Sequence, residues 1–195
     1  HLSAYQLIIE KGTRFFTLHR KGMLNTLSEK NYNKFYFKTK SILEENNLKQ
    51  YEISNFSKPN FQSKHNNIYW KSNNWIGIGP GAISRIWNQK KERIEFKNFK
   101  KPKTWLKNCL SKKIKLKKIS KISFDATEKE VLMMGLRLNE GIDLDKLHNK
   151  NFLNKIEILN LRKRGIIDLK KNNLSINEKY FNIHDLIVRK IINNY

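Results

Sequence analysis

Two short stretches carry residue types that could do chemistry. The first is His65-Asn66-Asn67-Ile68-Tyr69-Trp70. A neutral imidazole can ligate a metal or a heme iron. Tyr and Trp rings present flat apolar faces with polar tips, which suit a porphyrin plane or an adenine. Asn66 can both donate to and accept from a ligand's edge. The plainer alternative is structural, with His65 capping the following turn and Tyr69 and Trp70 in a core. The crowding of His, Asn, Tyr and Trp near a glycine bend weighs against that alternative.

The bend itself is the second stretch, Gly77-Ile78-Gly79-Pro80-Gly81-Ala82-Ile83-Ser84. Its glycines let backbone approach a ligand and adopt positive φ. The spacing is not the dinucleotide fingerprint, and no Lys-Ser/Thr of a P-loop follows. A tight turn after a strand is the competing reading. The remaining histidines are weaker candidates. His19 sits beside Arg20 and Lys21, and His148 and His184 stand at unrelated spacing. No Ser-His-Asp set, HExxH motif or carboxylate pair can be argued. Glu10 and Glu52 fall on or just after expected strands, where they would face a barrel's active end or merely its rim.

The elements that must position these residues can be read from periodicity. Residues 1–10 are apolar at nearly every position, which suits a strand of a parallel sheet covered on both faces. The chain opens at His1 already inside that stretch, so it reads as a fragment or as the downstream piece of a split chain. Ser28 offers an N-cap, and Tyr32, Phe35, Tyr36, Thr39, Ile42 and Leu43 give an amphipathic helix over about residues 29–46. A strand over residues 51–56 completes a βαβ unit. A short helical turn over 65–70 and a third strand over 75–81 follow. Residues 84–99 are a hairpin with Trp87, Ile94 and Phe96 on one side, and 102–111 a helix. Residues 112–121 form a basic connector. Downstream, a capping box at Thr127-Glu128-Lys129-Glu130 opens a helix closed by Gly141. Short helices follow over 143–148 and 152–164. A hairpin comes next around Lys170-Lys171-Asn172-Asn173, then a last helix over 178–193 with Tyr180, Phe181, Ile183, Ile187 and Ile191 inward.

Composition narrows the classes. The chain has 195 residues, 38% hydrophobic and 11% aromatic, which excludes a disordered chain. No apolar run approaches the ~20 residues of a membrane span, and the N-terminus has no secretory pattern. A cytoplasmic location is the expectation. The single cysteine, Cys109, excludes an intramolecular disulfide and a Cys-rich zinc site, and cannot hold an iron–sulfur cluster alone. It reads as a small hydrophobe on a helix. The net charge is +23, from 40 Lys and Arg against 17 Asp and Glu. That balance suits a nucleic acid or an anionic membrane surface. Yet the lysines are scattered, and Lys, Asn and Ile are in excess throughout, as in the product of an AT-rich gene.

Several segments in a row resemble one family. They are Leu2-Ser3-Ala4-Tyr5-Gln6-Leu7 with Ile9-Glu10-x-Gly12-Thr13-x-Phe15, then Tyr51-Glu52-Ile53-Ser54-Asn55-Phe56, then HNxxYW at 65–70 and GIGPGA at 77–82. Ala126-Thr127-Glu128, Gly135-Leu136-Arg137-Leu138 and Gly141-Ile142-Asp143 continue the match. Together they resemble the HemW-type heme chaperones and the related oxygen-independent coproporphyrinogen III oxidases of the radical SAM class. The HNxxYW segment points to the chaperone branch.

The resemblance implies an α/β fold: the C-terminal strands and helices of an incomplete TIM-type barrel over residues 1–111, a basic linker over 112–125, and a small winged-helix-like α+β domain over 126–195. Family members bind a [4Fe–4S] cluster through CxxxCxxC and S-adenosylmethionine against its open iron; that motif is absent here. The resemblance puts forward His65, Asn66, Tyr69 and Trp70 for heme, with His65 the candidate iron ligand. By position Ile8 and Ile83 match S-adenosylmethionine-contacting residues of the oxidases, and Gly79, Gly81 and Ala82 border the same pocket, for S-adenosylmethionine or heme. Ile83 stands where many chaperone-branch members carry His. The implied partners are heme, heme-acceptor proteins and an N-terminal radical SAM half. Room is left for a homodimer and a membrane surface, without a specific nucleic acid. Two other functions remain open: coproporphyrinogen III oxidation, which needs the cluster, and nucleic-acid binding by the winged helix through Lys155, Arg162, Lys163 and Arg164.

Overall fold

The computed structural model describes residues 1–111 and 116–192. It mixes short antiparallel sheets with helices and divides into two compact units, His1–Gln62 and Ser63–Tyr195.

In the first unit, β1 (Leu2–Ser3) is followed by α1 (Arg14–Arg20), α2 (Glu29–Glu45), β2 (Lys49–Glu52) and β3 (Asn55–Ser57). The sheet order is β1-β3-β2, and both pairings are antiparallel. The expected parallel βαβ unit is therefore not what forms. Residues 51–56 fold back as a hairpin instead of running on as one strand. The turn is stapled by Glu52, which accepts from the Ser54 N–H at 3.0 Å and from the Asn55 amide. Glu52 is fully buried there, so it is neither a barrel-end carboxylate nor a rim residue. The expected ten-residue first strand shrinks to two, because β3 offers only a three-residue edge. Beyond it Tyr5, Leu7 and Ile8 are 71%, 59% and 76% exposed. An apolar run does not by itself choose a parallel partner. The α2 expectation holds. Ser28 Oγ accepts from the Asn31 N–H at 3.3 Å, and Asn46 ends the helix. Leu43 is its buried residue, while Phe35 and Ile42 stay exposed. Helix α1, capped by Thr13, had no sequence expectation.

The second unit opens with α3 (Lys64–Trp70), where the short turn was expected. Next come β4 (Ile83–Trp87), β5 (Arg93–Lys97), α4 (Pro102–Cys109) and β6 (Lys118–Lys121). The expected strand over 75–81 is only an isolated bridge from Trp75 to Arg85. The hairpin forms, but its register pairs Ile86 with Ile94, Ser84 with Phe96 and Trp87 with Arg93. Directly opposed residues share a face, so Trp87 lies opposite to Ile94 and Phe96 and on the side of Arg93. Residues 112–115 of the basic connector lie outside the described residues. Lys118–Lys121 is the third strand of this sheet, in the order β4-β5-β6. Lys118 and Lys121 at the two ends of this edge strand guard against pairing with another chain.

The chain continues as α5 (Phe124–Gly135), β7 (Ile142–Asp143), a 3-10 turn (Leu144–Lys146), α6 (Lys155–Lys163), β8 (Ile167–Lys170), β9 (Asn173–Ile176), a second 3-10 turn (Glu178–Ile183) and α7 (His184–Ile191). The strands order as β7-β9-β8. The cap of α5 is Ser123, accepting from the Ala126 N–H at 3.3 Å, so Thr127 is buried one turn inside. The capping-box reading picked the wrong turn, and Gly141 marks the loop before β7 instead of the helix end. Leu132, Leu136, Ile167, Leu174, Phe181, Ile187 and Ile191 form the core of this part. Tyr180 and Ile183 are only half-buried, because the expected single last helix begins as a 3-10 turn.

Candidate functional site

The HNxxYW segment is helical because Ser63 caps it: its Oγ accepts from the Asn66 N–H at 3.2 Å. Helical spacing then puts His65 and Tyr69, four apart, on one face. Their rings meet edge to face with centroids 4.9 Å apart. Tyr69 Oη lies 3.1 Å from His65 Nε2, and Asn66 Oδ1 lies 3.3 Å from Nδ1. A carbonyl oxygen only accepts, so this contact fits the neutral tautomer that carries its proton on Nδ1. Nε2 is then the nitrogen with the lone pair, and the Tyr69 O–H donates to it. The ring nitrogen able to bind a metal thus faces Tyr69, on an exposed imidazole.

Trp75 connects this helix to the glycine bend. Its ring packs against Tyr69 at 4.8 Å, and its Nε1–H donates to Ile83 O at 3.1 Å. Arg93 stands behind. Its guanidinium lies 4.8 Å from the Trp75 ring and 4.8 Å from the Trp87 ring, and its Nη2 donates to Asn73 O at 3.0 Å. Only 2% of Arg93 is exposed. Burial pushes its guanidinium down to about 10, so it remains charged at neutral pH; Glu130 acts the other way and Arg85 adds to the fall. Arg85 bridges Glu130 at 2.7 Å and Glu95 at 3.0 Å. Burial opposes ionisation of Glu95, but Lys97 and Arg85 outweigh it and hold the carboxyl below the usual range.

The glycine bend is tied to the hairpin. The Gly77 N–H donates to Ser84 Oγ at 3.0 Å, and the Asn98 amide donates to Gly77 O and Gly79 O at 3.3 and 3.0 Å. Gly79 and Gly81 sit at φ of 111° and 74°, which favours glycine. A Cβ on Gly77 would lie 2.5 Å from Ile83 O. Ala82 O accepts from the Asn98 N–H at 3.0 Å. Ile83, 41% exposed, adjoins Trp75.

The structure therefore brings Tyr69 and Ile83 against Trp75, with His65 on Tyr69 and Asn66 on His65. Arg137, just past the end of α5, lies 4.2 Å over the Trp70 ring, and the Trp70 Nε1–H has no partner among the described residues. A cleft of about 270 Å³ opens between Tyr69, Trp70, Trp75, Arg85, Glu130 and Met134. Ile8 belongs to the other compact unit and is exposed. A separate cavity of about 360 Å³ there is lined by Leu7, Leu27, Tyr32, Phe35, Tyr36 and Phe56, among others. Sequence reasoning missed Trp75 and Arg93. Their signal was an aromatic five residues past Trp70 and an Arg between the charged hairpin tip and an apolar strand position. Among the described residues no three His, Cys, Asp or Glu converge on a metal site. Cys109 alone cannot hold a cluster.

No family model matches the sequence. It is 34% identical over 148 residues to the mitochondrial radical S-adenosyl methionine domain-containing protein 1 of Danio rerio, covering 73% of this chain and 33% of that protein. It is also 34% identical over 151 residues to the heme chaperone HemW of Lactococcus lactis, covering 77% and 38%. The chain is similar in sequence to HemW-type radical SAM proteins. A match to the Dictyostelium discoideum radical S-adenosyl methionine domain-containing protein 1 extends over 98% of this chain and 49% of the relative, at 32% identity. The chain thus spans between a third and a half of the HemW-type relatives it matches. The fold resembles coproporphyrinogen III oxidase HemN of Escherichia coli, with a TM-score of 0.59 at 14% identity, over 84% of this chain and 41% of that one. No helix among the described residues is long and apolar enough to cross a membrane.

Proposed function

We propose that this chain is a heme-binding part of a HemW-type chaperone, with His65 Nε2 as the iron ligand. One observation carries the reading. His65 is exposed, and the hydrogen bond to Asn66 Oδ1 leaves its lone pair on the nitrogen beside Tyr69. Such a nitrogen can ligate iron after a small shift of one hydroxyl. Tyr69 and Ile83 supply the apolar surroundings, with Asn66 orienting the imidazole and Trp70 bordering the adjoining cleft. Gly79, Gly81 and Ala82 line the backbone side. Heme is cargo in this reading, passed on to acceptor proteins.

In this reading residues 1–111 are the end of an incomplete TIM-type barrel, spanning the first unit and the start of the second, and a winged-helix-like domain runs from about residue 126 within the second unit. The order helix, strand, turn, helix, hairpin supports the latter. The family's S-adenosylmethionine and [4Fe–4S] cluster belong to complete members, with Ile8 and Ile83 the residues here that would lie towards S-adenosylmethionine. The one cysteine of this chain does not fit a cluster. The HNxxYW segment at 65–70 is what favours heme carriage over coproporphyrinogen oxidation. Cytoplasmic location and a homodimer complete the proposal, although two of the relatives matched are mitochondrial by name. Hemin titration followed at the Soret band tests it, using the parent and a His65→Ala, Tyr69→Ala double variant. The double variant should lose the histidine-ligated spectrum. Equal affinity and an identical spectrum would discard the site.

A further inference from the structure

Arg93 has no part in the reading so far, yet it is a fully buried cation held between two indoles. Buried charges are costly unless compensated, so its retention calls for a physical account. The Trp75 and Trp87 rings, each 4.8 Å from the guanidinium, Asn73 O and the nearby Glu130 charge compensate it in part, and Nη1 finds no partner among the described residues. The consequence falls on Trp75. Its Nε1–H is pinned to Ile83 O and its backbone pairs with Arg85, while the guanidinium packs on its ring. Tyr69 packs against that same ring at 4.8 Å, and its hydroxyl reaches His65 Nε2 at 3.1 Å.

We propose that Arg93 is a positioning residue that acts through Trp75 and Tyr69 to hold the Tyr69 hydroxyl on His65 Nε2. The stack Trp87–Arg93–Trp75–Tyr69–His65 makes this hydrogen bond a latch on the imidazole. The latch adds to the Asn66 Oδ1 contact in holding the Nδ1–H tautomer, and an incoming iron must displace it. Its functional meaning rests on the heme-binding reading above, but the tautomer it fixes can be measured without heme.

The test uses the full chain labelled with ¹⁵N-histidine, with His65→Ala assigning the resonances. In the parent, His65 should show the Nδ1–H tautomer. Arg93→Met, which keeps the stem volume but removes the charge, should give a tautomer mixture; Arg93→Lys should restore the parent pattern. Hemin binding by Arg93→Met should tighten by about twofold, and that gain should vanish in a Tyr69→Phe background, where no latch remains. A general packing defect would act equally in both backgrounds. Should Arg93→Met fail to unfold cooperatively, Trp87→Leu removes the other face of the bracket and is read identically. A folded variant with the parent tautomer, or an equal effect in the Tyr69→Phe background, overturns the proposal. Unchanged hemin binding by His65→Ala instead sinks the heme reading, and the tautomer still decides the role of Arg93.

Discussion

Tyr69→Phe is the substitution whose outcome follows most directly from the geometry. It removes one oxygen and keeps the ring that packs on His65 at 4.9 Å and on Trp75 at 4.8 Å. The hydrogen bond lost, 3.1 Å to His65 Nε2, is solvent-exposed. Exposed neutral hydrogen bonds contribute about 0.5–1 kcal/mol net. Iron that binds Nε2 must break this bond, so the parent bears that cost and the variant does not. The expected result is hemin binding about two- to fivefold tighter, with slower release to an apo-myoglobin trap. Circular dichroism should be unchanged. Weaker binding in Tyr69→Phe would refute the reasoning, because it would make the hydroxyl a heme contact and not a competitor. Unchanged affinity would mean that iron does not use Nε2.

Three further outcomes follow. Gly77→Ala forces a Cβ to within 2.5 Å of Ile83 O and 2.9 Å of Ile83 N; it should cost about 1–3 kcal/mol, read by urea denaturation, and an unperturbed midpoint would mean the bend relaxes freely. Gly141→Ala combines a φ of 69° with a clash against the Leu174 backbone and Ser175, and should lower the thermal midpoint at least as far. His184 is 5% exposed; burial holds its imidazole below the ordinary value, Asp185 opposes, and Arg137 adds to the fall. The folded state thus binds fewer protons than the unfolded one. The stability it contributes is present above about pH 6.5 and is lost as pH falls below it, with a slope of at most about 1.4 kcal/mol per pH unit. Denaturation series should show this slope reduced in His184→Gln, and identical slopes would remove His184 from the acid response.

Local signals were legible where one residue decides the outcome. Ser28 and Asn46 mark the ends of α2, and the apolar positions around Gln89–Glu92 mark the hairpin. Pairing partners were not legible. Residues 1–10 carry a strand's composition, yet only Leu2 and Ser3 find an edge, because β3 is three residues long. The capping-box pattern at Thr127 misled because the helix starts one turn earlier, where Ser123 caps it and leaves Thr127 buried inside. At the candidate site, the face shared by His65 and Tyr69 follows from four-residue spacing. The Trp75–Arg93–Trp87 stack does not, because it depends on the hairpin register that sets Arg93 opposite Trp87.

The central claim is that one imidazole in this chain is placed to take heme iron. The chain has five histidines. The most direct measurement compares hemin affinity and the ferric electron paramagnetic resonance spectrum across the parent, His65→Ala, His19→Ala and His148→Ala. The account predicts that His65→Ala alone loses the histidine-ligated signal and binds more weakly. The same signal and affinity in His65→Ala as in the parent would contradict it.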